Sequence, residues 1–272
     1  MSSWNNIYKV FDPVAFHIFS LPVHWYGIMY VLALIVALYI GKYFIKKDKL
    51  DFSGKEVDIY FLYVEIGVIL GARLGYILFY DTNTFYYLSH PWQIFNPFVN
   101  GEFVGIRGMS YHGAVFGFLL STYLYSKKYK IAFGKIMDLV AISVPLAFVF
   151  GRIGNFLNQE LIGRETDVPW GILVDGVLRH PSQLYEAVLE GFGVFLAVYV
   201  YKNYQKFSGE LILVYGISYG LFRAIAEIWR APDIQIGYVC CDVVTQGQVM
   251  SLAMSLVGVV AWVYFKNRAV KN

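Results

Sequence analysis

Residues 151 to 160 read Gly-Arg-Ile-Gly-Asn-Phe-Leu-Asn-Gln-Glu, a run of polar groups on the end of the apolar stretch Leu139 to Phe150. Arginine supplies a planar fork suited to bidentate grip on phosphate or carboxylate. Arg152, Asn155, Asn158 and Glu160 thus offer a fork donor, amides and a carboxylate within a short length of chain. Gly151 and Gly154 permit close backbone approach or a break in the helix. The combination fits a phosphate site, because polar groups delivered to a membrane boundary usually line a cavity or a binding site.

Three further groupings could carry chemistry. Tyr219, Arg223 and Glu227 fall at i, i+4 and i+8, one strip along a helix face. The structural alternative is an intrahelical Arg–Glu pair that makes two buried charges tolerable, but leucine at both sites would serve a plain span better. His112 stands among small residues, Gly113 and Ala114, at the end of a charge-free stretch. Its imidazole can act as general base or substrate-positioning group at neutral pH, or serve packing alone. Glu186 and Glu190 form a like-charge i, i+4 pair that is destabilising unless cations attend it, with Arg179 and His180 as candidate attendants. Arg73 and Glu65 are too far apart in helical order for direct pairing. No P-loop, HExxH, GxSxG, paired CxxC or metal-ligand cluster is present, so neither nucleotide nor zinc chemistry is supported, and no nucleic-acid partner is implied.

These groups must be positioned by apolar helices. The chain is 58% hydrophobic, 19% aromatic and only 15% charged, against about a quarter charged in soluble domains. No Arg, Lys, Asp or Glu falls between Asp12 and Lys42, Arg107 and Lys127, or Asp242 and Lys266. The pattern predicts an all-α polytopic membrane protein, one integral membrane domain over 1–272, with seven spans near 20–41, 57–79, 108–126, 136–151, 183–201, 210–228 and 247–265. The first apolar stretch is too long, and too poorly preceded by basic residues, for a cleaved signal peptide.

With seven spans, alternate connections hold Lys42, Lys46, Lys47, Lys49, Lys55, Lys127, Lys128, Lys130, Lys135, Lys202, Lys206, Lys266, Arg268 and Lys271. Positive charge in short loops marks the cytoplasmic side, which puts the N-terminus outside and the C-terminus inside. The other basic residues are Lys9 and seven arginines, 73, 107, 152, 164, 179, 223 and 230. Their position at span ends points to an anionic ligand on the outer side, although pairing with outer acids accounts for some. Of the longer outer connections, 155–182 forms a small head whose Gly163, Pro169, Gly171 and Gly176 suggest a strand-and-turn element. Phe85, Tyr86, Tyr87 and Trp92 suit a membrane interface, as does Ile7 to Ser20, read as a surface-lying helix. Cys240 and Cys241 are neighbours, for which a bridge would be strained, and read as incidental loop residues.

Trp25-Tyr26-Gly27, Gly71 to Tyr76, Gly108 to Gly113, Gly151 to Glu160, Gly163-Arg164, Arg179 to Glu186 and Tyr219 to Glu227, in that order over nearly the whole chain, closely resemble the prolipoprotein diacylglyceryl transferases. The resemblance implies a bacterial inner-membrane enzyme, its active site opening outward. Such an enzyme moves the diacylglyceryl group of phosphatidylglycerol onto the lipobox cysteine thiol of a prolipoprotein signal peptide, forming a thioether and releasing glycerol 1-phosphate. It requires no cofactor and no metal. The positions it implies are Tyr26, His112, Arg152, Asn155, Glu160, Gly163, Tyr219, Arg223 and Glu227, with Asn158 beside them; Ala114 departs from a glycine frequent in the family. Thiolate displacement of a phosphate ester needs a base and cations for the departing phosphate. His112 and the two arginines meet those needs, with Glu160, Glu227 or Tyr219 as alternative bases. A transporter would want a second polar gate on the cytoplasmic side, and a scaffold would not need so many charges within spans.

Overall fold

The structure, a computed structural model, describes residues 3–269 other than 20, 51, 100, 104, 106–107, 233–236 and 242. Ser20, Arg107, Asp242 and Lys271, used above, lie outside the described residues. Among the described residues seven long helices lie in apolar runs: α1 Trp25–Asp48, α2 Gly54–Phe79, α3 Tyr111–Tyr129, α4 Phe133–Leu157, α5 Ser182–Tyr204, α6 Glu210–Ala226 and α7 Gln246–Ala269. Five of them, α1, α2, α4, α5 and α7, are long and apolar enough to cross a membrane. The chain divides into two compact units, one of 1–47 with 137–272, the other of 48–136.

Two expectations are corrected at the N-terminal end. Ile7 to Ser20 is not a surface helix: a 3-10 turn at Trp4–Lys9 is followed by a hairpin, Val14–Ile18 against Leu21–His24. The first long helix accordingly begins at Trp25 rather than near 20. Pro13 and Pro22 lack the N–H that a continuous helix would use, and β-branched Val14, Ile18 and Val23 favour strand. The helix at the fourth apolar run is also longer than 136–151, since Gly151 and Gly154 do not break it and the head starts only after Leu157. A helical glycine costs about 1 kcal/mol, which packing offsets: a Cβ on Gly154 would stand 3.1 Å from Met29 and 3.3 Å from the ring of Tyr26.

In the unit of 48–136, α2 starts on a capping box, with Glu56 N–H donating to Ser53 Oγ (3.2 Å) and Ser53 N–H to Glu56 Oε2 (2.6 Å). Its Gly67, Gly71 and Gly75 lie against Gly113, Gly117 and Ser121 of α3, leaving no room for a Cβ. Small residues at every fourth position let helix backbones touch without hydrophobic driving force between them. Arg73, buried in α2, holds the following connection through Ile94 O and through Gly108 O at 3.2 Å, with its guanidinium 5.2 Å from the ring centre of Tyr87. It therefore serves backbone carbonyls of its own unit. Phe85 and Trp92 remain exposed.

In the other unit the helices have two unlike ends. At one, Lys47 reaches Tyr199 OH (3.4 Å), Lys202 lies over Phe44 (4.9 Å), and Trp262 donates to Glu210 (2.9 Å). Buried Asp138 of α4 there caps α6 from outside it, accepting from the N–H groups of Gly209 (2.7 Å) and Leu211 (2.8 Å) and from Gln205 Nε2 (2.7 Å). Asp138→Asn turns an acceptor into a donor facing these donors and is expected to cost about 1–3 kcal/mol. Denaturant unfolding in mixed micelles measures it. The opposite ends of α1, α4, α5, α6 and α7 carry the polar residues of the next subsection.

One irregularity matters there. Within α5, Ala187–Gly193 is π-helical, and Glu186, Glu190, Val194 and Val198 are all within 1% of complete burial.

Candidate functional site

Arg152 near the C-terminal end of α4, Glu186 and Glu190 of α5, and Arg223 of α6 converge. Arg152 Nε stands 2.9 Å from Glu186 Oε2 and its Nη2 3.7 Å from Glu190 Oε2. Arg223 Nη1 lies 3.3 Å from Glu186 Oε1 and 3.1 Å from Glu190 Oε1, while its Nη2 pairs with Glu227 Oε2 at 2.7 Å. Arg230, just beyond α6, reaches Glu186 Oε1 at 3.4 Å. Three guanidiniums thus meet three carboxylates that are almost wholly removed from solvent. The arginine side chains keep 14–15% exposure, against 0–6% for the three carboxylates. Removing one partner from such a buried network typically costs 3–5 kcal/mol.

Hydrogen bonds extend the cluster along the sequence signature. Arg152 Nη1 donates to Asn155 Oδ1 (3.4 Å), and Asn155 Nδ2 donates to Glu160 Oε1 (2.7 Å). Arg152 also stacks over Phe148 (4.6 Å), whose ring meets Tyr219 edge-on. Glu227 accepts from Thr245 Oγ1 (3.1 Å), and Gly247 leaves it space, since a Cβ there would come 2.6 Å from Glu227 Oε1. Tyr26, half exposed at the start of α1, is brought onto the signature by its contact with Gly154. Asn158 makes its backbone bond to Gly154 O (2.9 Å) and points a buried side-chain oxygen inward.

Gly163 is the point where three backbones cross. Its N–H donates to His180 O (3.1 Å), Arg164 N–H donates to Trp229 O (2.9 Å), and a Cβ would sit 2.5 Å from His180 O and 2.6 Å from Trp229 O. Arg164 Nε then binds Arg230 O (2.8 Å), tying the head to the end of α6. Beyond it Ile172–Val174 pairs with Val177–Arg179, closed by Asp175 and Gly176, both at positive φ (49° and 82°). Asp-Gly is the preferred pair for such a tight hairpin. The strand-and-turn expectation therefore stands. Trp4 Nε1 donates to Trp170 O (2.7 Å) and Asn5 to Gly171 O (2.7 Å), docking the N-terminal turn on this head. Burial holds the His180 imidazole below its ordinary pKa, with Asp167 opposing.

The attendants expected for Glu186 and Glu190 were Arg179 and His180, and this is corrected. Arg179 pairs with Glu165 (3.3 Å) and His180 with Tyr185 OH (3.2 Å), because the hairpin carries both into the head. The cations are Arg152, Arg223 and Arg230. Thr245 is a site member the sequence did not single out, whereas Glu186, Glu190, Arg164 and Arg230 stood out there only as a like-charge pair and as arginines at span ends. The like-charge pair in α5 and the Glu227–Arg230 spacing were the available signals. Cys240 and Cys241 lie side by side at the end of the strand Tyr238–Cys240, which pairs with Val244–Thr245.

His112 belongs to the other unit. Its Nδ1 lies 3.3 Å from Tyr80 OH, at one end of a groove of about 1090 Å³ walled by Leu70, Leu74, Leu78, Phe116 and Leu120. Among the described residues no group of His, Cys, Asp and Glu could hold a metal ion.

Apolar helices around a buried cluster of arginines, glutamates and carboxamides define a multi-pass membrane protein with a polar site at one set of helix ends. The profile of the family described as prolipoprotein diacylglyceryl transferase matches residues 13–264. The phosphatidylglycerol–prolipoprotein diacylglyceryl transferases of Campylobacter lari (strain RM2100) and of Campylobacter jejuni (strain 81-176) are 61% and 60% identical to this chain over 267 and 270 residues, 98% and 99% of each partner. That of Campylobacter curvus is 56% identical over 271 residues, the full length of both. The chain belongs to the prolipoprotein diacylglyceryl transferase family and is a transferase.

Proposed function

We propose that this protein transfers the diacylglyceryl group of phosphatidylglycerol to the lipobox cysteine of a prolipoprotein, the first step of bacterial lipoprotein maturation. The thiol loses its proton to a base, the sulfur attacks the glyceryl carbon bearing the phosphate ester, a C–S bond forms and the C–O bond breaks. Glycerol 1-phosphate leaves with the electron pair. The observation that carries this reading is the meeting of Arg152 and Arg223, from two helices, over the same two carboxylates. Two forks so placed can share one phosphate, and charge developing on the leaving oxygen is where fixed donors are most effective. Asn155, Asn158, Glu160 and Gly163 complete the phosphate side, with Tyr26, Tyr219 and Glu227 around it. His112 is the proposed base, and the apolar groove ending at His112 and Tyr80 suits an acyl chain.

On this reading all seven long helices span the bacterial inner membrane. The lysine-bearing ends are cytoplasmic, as is the C-terminus, while the N-terminus and active site face outward. The sorting of lysines and arginines to opposite helix ends in the unit of 1–47 and 137–272 supports that orientation. Purified protein given phosphatidylglycerol and a lipobox peptide should release glycerol 1-phosphate in step with thioether formation, and a Ser-for-Cys peptide should release none. Absence of release from active preparations, or movement of lipid without its consumption, would refute the reading.

The head is proposed to engage the prolipoprotein, being polar, turn-closed and longer than a connection requires. Replacing 173–178 by a two-residue turn should raise KM for the peptide about tenfold, a loss of roughly 1.4 kcal/mol, with KM for lipid unchanged. Steady-state kinetics with each substrate varied separates the two.

A further inference from the structure

Glu186 and Glu190 have no part in the transfer as written, yet they are the centre of the cluster. Glu186 is fully buried and touches three arginines from α4, α6 and the segment after α6 at 2.9, 3.3 and 3.4 Å. Glu190 touches Arg152 and Arg223. A span built only for stability gains nothing from two carboxylates a helical turn apart, because apolar packing of equal volume does as well or better. Their geometry is specific. Each takes Arg152 on one oxygen and Arg223 on the other, so the two carboxylates brace the two forks at a fixed separation.

We infer that Glu186 and Glu190 are positioning residues of the transfer site, which set the spacing of Arg152 and Arg223 and temper their charge so that the phosphate product is released. The inference rests on the transfer reaction proposed above. The lipid substrate is a phosphodiester with one negative charge, whereas the product is a monoester carrying about −1.5 to −2 at neutral pH. Unopposed guanidiniums would favour the product more than the substrate. Carboxylates paired with them reduce that preference.

The test uses full-length Glu186→Gln and Glu190→Gln in micelles with phosphatidylglycerol and a lipobox peptide. It measures kcat, KM for the lipid, inhibition by added glycerol 1-phosphate, and thermal unfolding. Both variants should lose kcat by about 10–100-fold without any rise in KM for the lipid. Glycerol 1-phosphate should inhibit at concentrations about tenfold lower, the pattern of ground-state binding gained at the expense of turnover. Glu186→Asp, which keeps the charge, should restore normal product inhibition. Unchanged kcat and inhibition in folded variants would overturn the inference, as would a raised KM with weakened inhibition. Should Glu186→Gln fail to fold, Glu190→Gln, which leaves Arg230 paired, carries the same measurement, and failure of both to fold makes the pair purely structural. Wild-type protein without turnover would instead overturn the transfer reaction itself.

Discussion

Replacing Arg223 by lysine is expected to lower turnover by roughly 10²–10³, the scale for removing one fixed donor from a developing oxyanion. The guanidinium uses Nη1 for Glu186 and Glu190 and Nη2 for Glu227. A lysine ammonium is a single point on a flexible stem and cannot face three carboxylates and a phosphate together. Arg152→Lys should behave alike, since its Nε and Nη2 serve Glu186 and Glu190 and its Nη1 reaches Asn155. Each variant is expected to remain folded with a lowered Tm, so kcat should be read beside thermal unfolding in the same detergent. Wild-type turnover in both would show that no phosphate is shared between them.

A loss of similar size is expected at His112. A free cysteine with pKa about 8.5 is only a few per cent thiolate at pH 7, and a positioned base contributes about 10²–10⁴. His112→Gln keeps a hydrogen-bonding group of comparable reach to Tyr80 OH but does not titrate. Both the rate and the acidic limb of the pH–rate profile should be lost, whereas Tyr80→Phe should preserve the limb. A full rate with an unaltered profile would remove His112 as base. The remaining candidates are already engaged to different degrees: Glu227 by Arg223 and Thr245, Glu160 by Asn155, and Tyr219 by ring contact with Phe148.

The helices were legible because each is an apolar run between charged ends, and the signature at 151–160 was legible because it interrupts that pattern. Less could be seen where the determining contact is distant in sequence. The hairpin at 14–24 was hidden by its aromatic and aliphatic content, which suits a surface helix equally well, and only the two prolines argued against it. The partners of Glu186 and Glu190 could not be read locally, since Arg179 and His180 are near in sequence but leave with the head hairpin. Gly163 stood out by family resemblance, but its physical reason, the crossing of three backbones, exists only in the folded chain.

The π-helical stretch Ala187–Gly193 has a consequence for how chain length can vary in this protein. In a regular α-helix a step of four residues overshoots a full turn by about 40°. Glu186, Glu190, Val194 and Val198 would then fan away across more than a quarter of the circumference. Bonding from i to i+5 widens the turn and restores the register, so all four stay on the buried face. Deleting one residue from this stretch would therefore not shorten the helix harmlessly. The stretch would close toward ordinary α-helix, keeping Val194 and Val198 on the interior face but shifting Glu190 relative to Glu186 and so away from its place against the arginines. The segment acts as a phase corrector, and homologous chains that keep both glutamates should show no length variation between Glu186 and Val198.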